Sequence, residues 1–187
     1  MGRLPLVTMR LVNDSSKLVS SVEDGGPAPK VVAAALHAEL ARRSAMIATA
    51  ESLTGGALGD LVSAAPGASD TYLGGVVSYA TAVKQKVLGV SGDTVEKHGV
   101  VSAECAAEMA RGVRSLLGAD YAVSTTGVAG PTEQEGKPVG LVYIGVAGPG
   151  GVTTRGLRLE GDRRQIRERT CLEAMSTALS VIVGADG

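Results

Sequence analysis

The chain has 187 residues, of which 44% are hydrophobic; its formal net charge is −1, and it carries four Tyr but no Phe or Trp. That length suits one domain with a full hydrophobic core, and no apolar run approaches the length of a membrane span. The absence of a dense Lys/Arg block argues against a duplex-binding face, and the scarcity of aromatics argues against a stacking platform for single strands. Neither a nucleic acid nor a membrane is therefore an expected partner.

Residues 1–26 end in the polar, turn-rich run Ser20-Ser21-Val22-Glu23-Asp24-Gly25-Gly26, which reads as a disordered or loosely docked leader. Arg3 is not followed by an apolar stretch of the secretory kind. The organised domain is expected over 27–187. Val31, Val32, Ala35, Leu36 and Leu40 fall at helical spacing, with Arg42 and Arg43 in the last turn. His37 reads there as a helix-surface residue. Met46–Ala50 is a short buried strand, running into Glu51-Ser52-Leu53-Thr54-Gly55-Gly56 and a helix to about Ala64. Gly75–Tyr79 is a second strand, followed by a short helix holding Lys84 and Lys86.

Ser102 caps the next helix, which ends at Gly118. A strand over 121–126 enters Gly127-Val128-Ala129-Gly130-Pro131, and strands over 139–147 and 152–159 form a hairpin through Gly148–Gly151. Asp162 caps a last helix reaching about Val183. The early β-α alternation predicts an α/β fold: a three-layer α/β/α sandwich around a mixed, mainly parallel sheet.

Cys105 and Cys171 fall in helical patterns without metal-ligand spacing or a disulfide framework. They read as small buried residues suited to a reducing cytoplasm. No metal site and no cofactor motif is found. Arg163, Arg164, Arg167 and Arg169 form a local cluster that reads mostly as a solvated helix face. Exposed aliphatic helix faces are compatible with a homo-oligomer.

Ligands in such sheets bind beyond the carboxyl ends of parallel strands. Three segments should meet there: 50–56, 78–84 and 125–131. The first offers hydroxyls and N–H groups to an anion or a developing oxyanion; equally, Ser52 or Thr54 caps a helix and the glycines make a turn. The second supplies Tyr79 and Lys84, which with a depressed pKa serve as base for a serine. Their plainer readings are an exposed strand-end hydroxyl and a surface charge, and spacing alone favours those. His37 and His98 lie outside the three segments, so a Ser-His triad finds no support. Glu133 and Glu135, in the loop after the third segment, read as solvated. Spacing by itself reaches only a small anionic ligand at this edge.

Eight motifs in order carry a resemblance: Ala50–Gly56, Pro66–Ser69, Leu73–Tyr79, Leu88–Val90, His98–Ser102, Thr126–Pro131, Lys137–Gly140 and Gly161–Arg163. Over roughly residues 28–183 the chain resembles the CinA C-terminal domain family. The resemblance implies a stand-alone nicotinamide-nucleotide amidohydrolase of pyridine nucleotide salvage, which converts nicotinamide mononucleotide (NMN) and water to nicotinic acid mononucleotide and ammonia. It implies Ser52 as nucleophile, with Tyr79 and Lys84 activating it. It places Thr54, Gly55 and Gly56 beside the reacting group, and Thr126, Gly130 and Arg163 on the nucleotide. The chain departs from the family at Ala80-Thr81, where Ser-Asn is usual, and in a shorter loop between Pro131 and Lys137. The alternative is a non-catalytic nucleotide-binding or regulatory module of the competence- or damage-inducible type.

Overall fold

The structure, a computed structural model, describes residues 28–185. The leader expected over 1–26 lies outside the described residues. Twelve elements follow in order, one of them a short 3-10 turn at Ala68–Asp70. The first half runs α1 (Pro29–Arg42), β1 (Ile47–Glu51), α2 (Ala57–Ser63), β2 (Tyr72–Val77), α3 (Thr81–Leu88) and α4 (Gly92–His98). The second runs α5 (Ala103–Leu117), β3 (Tyr121–Gly127), β4 (Leu141–Gly148), β5 (Gly151–Arg158) and α6 (Arg163–Gly184).

The strands form one sheet in the order β2-β1-β3-β4-β5. β1 is parallel to both β2 and β3, while β4 runs antiparallel to β3 and to β5. The expected mixed, mainly parallel sheet is thus present. Its two faces are covered by separate apolar clusters. Val32, Leu36 and Leu40 of α1, Leu58 and Val62 of α2 and Ile166, Met175 and Ile182 of α6 pack with Ile47, Val123 and Ile144. Leu88 of α3 and Cys105, Met109 and Val113 of α5 pack with Ala48, Ala50 and Ala122. This is the three-layer α/β/α arrangement, built almost wholly from aliphatics.

From β1 the chain crosses to β2 on one side, then returns to β3 on the other. The crossovers therefore part at the carboxyl end of β1, which opens the crevice where ligands bind in such sheets. Ser52 is the first residue beyond that strand.

Local chemistry accounts for the boundaries. Ser102 accepts from the Cys105 N–H, Gly118 terminates α5 at φ 64°, and Asp162 and Gln165 form a capping box on α6. β2 begins three residues earlier than the sequence pattern suggests. Ile47 pairs with Tyr72 but Ala48 pairs with Gly74, so Leu73 is bulged out, and Gly74 and Gly75 hide the strand from propensity. Gly75 is required because a Cβ there would strike the Thr49 hydroxyl. α4 was not anticipated: it is only 7 residues long, and its signal is the cap in which Ser91 accepts from the Thr94 N–H.

His37 is not on the surface. It is buried between α1 and the 62–71 segment, with Nε2 donating to the Val62 carbonyl and Nδ1 bonded to the Thr71 hydroxyl. Both cysteines are buried as expected, and burial pushes their thiols up, Cys105 to about 11 and Cys171 to about 12. Among the described residues no helix is long and apolar enough to cross a membrane.

α3 and α5 meet at Gly112, where a Cβ would collide with the Leu88 carbonyl. Gly112→Ala should therefore destabilise the fold by on the order of 1–3 kcal/mol through overpacking. A urea midpoint unchanged from the parent would show that the two helices separate freely.

Candidate active site

The three segments converge. The Ser52 N–H donates to the Thr125 carbonyl at 3.0 Å, and the Ser78 N–H donates to the Glu51 carbonyl at 2.7 Å. The Thr54 and Thr125 hydroxyls are bonded at 2.8 Å. These bonds extend the β2-β1-β3 ladder past the strand ends and fix the half-buried Ser52 at its centre.

Lys84 is the decisive residue. It is only 1% exposed, deeper than any other lysine described, and no carboxylate among the described residues pairs with it. Its Nζ lies 2.9 Å from Ser52 Oγ, 2.6 Å from the Ser78 carbonyl and 3.4 Å from the Tyr79 carbonyl. The plainer reading as a surface charge is thereby set aside. Burial lowers its pKa, opposed in part by the Glu135 carboxylate. A neutral amine has two N–H donors and one lone pair. The two carbonyls then accept the donors, which leaves the lone pair for the Ser52 proton, whereas the ammonium donates all three of its N–H groups, to Ser52 Oγ and the two carbonyls. The geometry accommodates both states, so the amine is placed to exchange a proton with the serine.

Tyr79 takes a different position. Its side chain is 62% exposed, and its hydroxyl accepts from Arg163 Nη2 at 2.9 Å, so its link to Lys84 runs through the main chain. Arg163 also donates to the Gly130 carbonyl at 2.6 Å, joining the second and third segments at the rim. Thr126 is buried and donates to the Val100 carbonyl at 2.6 Å, while Thr54 is fully buried beneath the turn.

The turn that follows Ser52 has two supports that the sequence reading missed. Glu51 is buried, and its carboxylate accepts from the N–H groups of Gly56 at 2.8 Å, Leu58 at 3.1 Å and Gly59 at 2.8 Å. Arg167 Nη2 donates to the Thr54 carbonyl at 2.6 Å. The visible signals were a carboxylate ending an apolar strand and an Arg one helical turn after Arg163. Gly55 and Gly56 adopt φ 58° and 99°, so they make the turn. Their N–H groups donate within it, to the Ser52 carbonyl and to Glu51, and are not free to meet an oxyanion.

The loop after Pro131 is also anchored. Glu135 is not simply solvated, since it accepts from the Val100 and Val101 N–H groups. Lys137 donates to the His98 and Val101 carbonyls. Among the described residues, no group of three or more His, Cys, Asp or Glu could hold a metal ion.

Known proteins share this frame. A CinA-like protein of Frankia casuarinae is 50% identical over 145 residues, covering 78% of this chain and 34% of its own length. A CinA-like protein of Thermotoga maritima is 43% identical over 145 residues, covering 77% and 35%. The chain thus spans about a third of the length of these curated relatives. The crystal structure of a CinA superfamily protein from Klebsiella pneumoniae superposes with a TM-score of 0.82 at 30% identity, covering 84% of this chain and 99% of that one. The competence/damage inducible protein CihA from Agrobacterium tumefaciens superposes with a TM-score of 0.79 at 30% identity, covering 84% and 98%. The profile of the CinA C-terminal domain matches residues 30–182, and the chain belongs to that family.

Proposed function

We propose that this protein is a serine amidohydrolase that converts NMN and water to nicotinic acid mononucleotide and ammonia. The observation that carries the reading is the 2.9 Å contact between Lys84 Nζ and Ser52 Oγ, with the amine buried and its other partners carbonyls. A buried amine of lowered pKa removes the serine proton at moderate pH, which a solvated lysine does poorly.

The steps then balance. Ser52 Oγ attacks the carboxamide carbon as its proton passes to Lys84 Nζ. The tetrahedral adduct collapses with cleavage of the C–N bond, and the Lys84 ammonium returns the proton to the departing nitrogen, releasing ammonia. Water, deprotonated by the same amine, hydrolyses the acyl ester and frees the carboxylate and Ser52. The cationic rim of Arg163 and Arg167 suits an anionic substrate.

The test is ammonia release from NMN by the purified chain, with nicotinic acid mononucleotide quantified alongside. Equal amounts of both products are expected. Folded protein that binds NMN and releases neither product would overturn the reading in favour of a binding module.

A further inference from the structure

The arginines along α6 and the neighbouring strand are not equivalent. Arg164 pairs with Glu168 at 2.8 Å, and Arg155 pairs with Glu173 at 2.6 Å. Arg167 is half-buried, yet among the described residues no carboxylate pairs with it. One of its five N–H groups reaches the Thr54 carbonyl, and its Nε is buried without any acceptor. A partly desolvated guanidinium with one bond filled and no counter-charge is costly in isolation. An anion docking on its remaining N–H groups offsets that cost.

The guanidinium packs directly against the serine turn. The neighbouring turn residue is Gly55, at φ +58°, and a Cβ built there would stand 3.5 Å from Arg167 Nη2. Arg163 lies one helical turn away on the same face, held at the rim by the Tyr79 hydroxyl and the Gly130 carbonyl. Arg167 thus holds the serine turn while Arg163 holds the rim, and the buried carboxylate of the turn, Glu51, is already occupied by three backbone donors.

We propose that Arg167 is the receptor for the phosphate monoester of the substrate and sets the preference for a nucleotide over the corresponding nucleoside. This rests on the amidohydrolase reading. Planar paired donors suit a phosphate as a single ammonium does not.

Parent, Arg167→Met and Arg167→Lys proteins are compared on NMN and on nicotinamide riboside, which lacks the phosphate. Arg167→Met is expected to lower kcat/KM for NMN about 10- to 100-fold, mainly through KM, the size of one charge-assisted contact. Arg167→Lys should fall between, and the riboside should lose far less. An equal loss on both substrates overturns the proposal, because Arg167 then only anchors Thr54. If the parent hydrolyses neither compound, the amidohydrolase reading fails separately, and calorimetric titration decides the inference. Weaker binding of NMN but not of riboside by Arg167→Met supports it, and parallel changes overturn it. Melting curves of the two variants separate misfolding from lost recognition.

Discussion

Ammonia release from NMN should fall by about 10⁴-fold or more in Ser52→Ala, and by a comparable factor in Lys84→Met, with the double variant no worse than either single one. The non-additivity follows from the geometry. Ser52 and Lys84, the proposed nucleophile and base, touch at 2.9 Å and would act as a unit, so removing either removes the shared step. Lys84→Arg sharpens the test. Arginine retains a cation at that position but does not lose its proton in a protein, so it restores charge without restoring a base. An active arginine variant would assign Lys84 an electrostatic role and exclude proton transfer. The pH profile provides a second check. In the proposed mechanism the reactive amine is neutral, so the rate should rise with pH as Lys84 loses its proton. The midpoint should lie below the ordinary lysine value of 10.5, because burial disfavours the ammonium. The same shift affects stability. The folded state releases the proton more readily than the unfolded chain, so this group adds stability as pH rises between its folded value and 10.5, and that contribution is lost on acidification.

Glu51→Ala should be among the most destabilising substitutions in the chain. It orphans three N–H groups at the start of α2, at roughly 1 kcal/mol or more each, for a total of about 3 kcal/mol. In a domain of this size that corresponds to a melting point lower by roughly 6–12 °C. Glu51→Gln keeps one acceptor oxygen and should lose less. The effect should also reach the chemistry, because Glu51 directly precedes Ser52 and its bonds hold Gly56 at φ 99°. Scanning calorimetry checks the stability, and turnover measured well below the melting point checks the placement of Ser52. A melting point equal to the parent's would mean that water replaces the carboxylate at no cost.

The sequence revealed more of the fold than of the site's internal wiring. Ser102 with Gly118, Asp162 with Gln165, and the Gly148–Gly151 hairpin are local signals, and each operates where local chemistry places it. The meeting of Ser52, Ser78 and Thr125 was also legible, because β-α alternation implies a shared strand edge. What escaped was non-local. Lys84 follows a weakly amphipathic pattern and looks like a surface charge until the sheet brings two carbonyls and a hydroxyl to it. His37 sits in a helix whose periodicity allows either face, and only the 62–71 segment buries it. The family resemblance implied Tyr79 as a partner for the serine, whereas spacing alone favoured an exposed strand-end hydroxyl, and its hydroxyl is bonded to an Arg 84 residues later in the chain.

The meeting of Ser52 and Lys84 also bears on how the domain becomes competent during folding. The pair spans 32 residues, and the Thr125 carbonyl that seats Ser52 lies 73 residues further along the chain. Contacts of such long sequence separation bear the loop-closure entropy late in folding and have no counterpart in isolated helices or hairpins. A collapsed intermediate with native helix content would therefore be catalytically silent. Regain of turnover after dilution from denaturant should trail the far-ultraviolet signal, which makes the active pair a reporter of the last tertiary contacts to form.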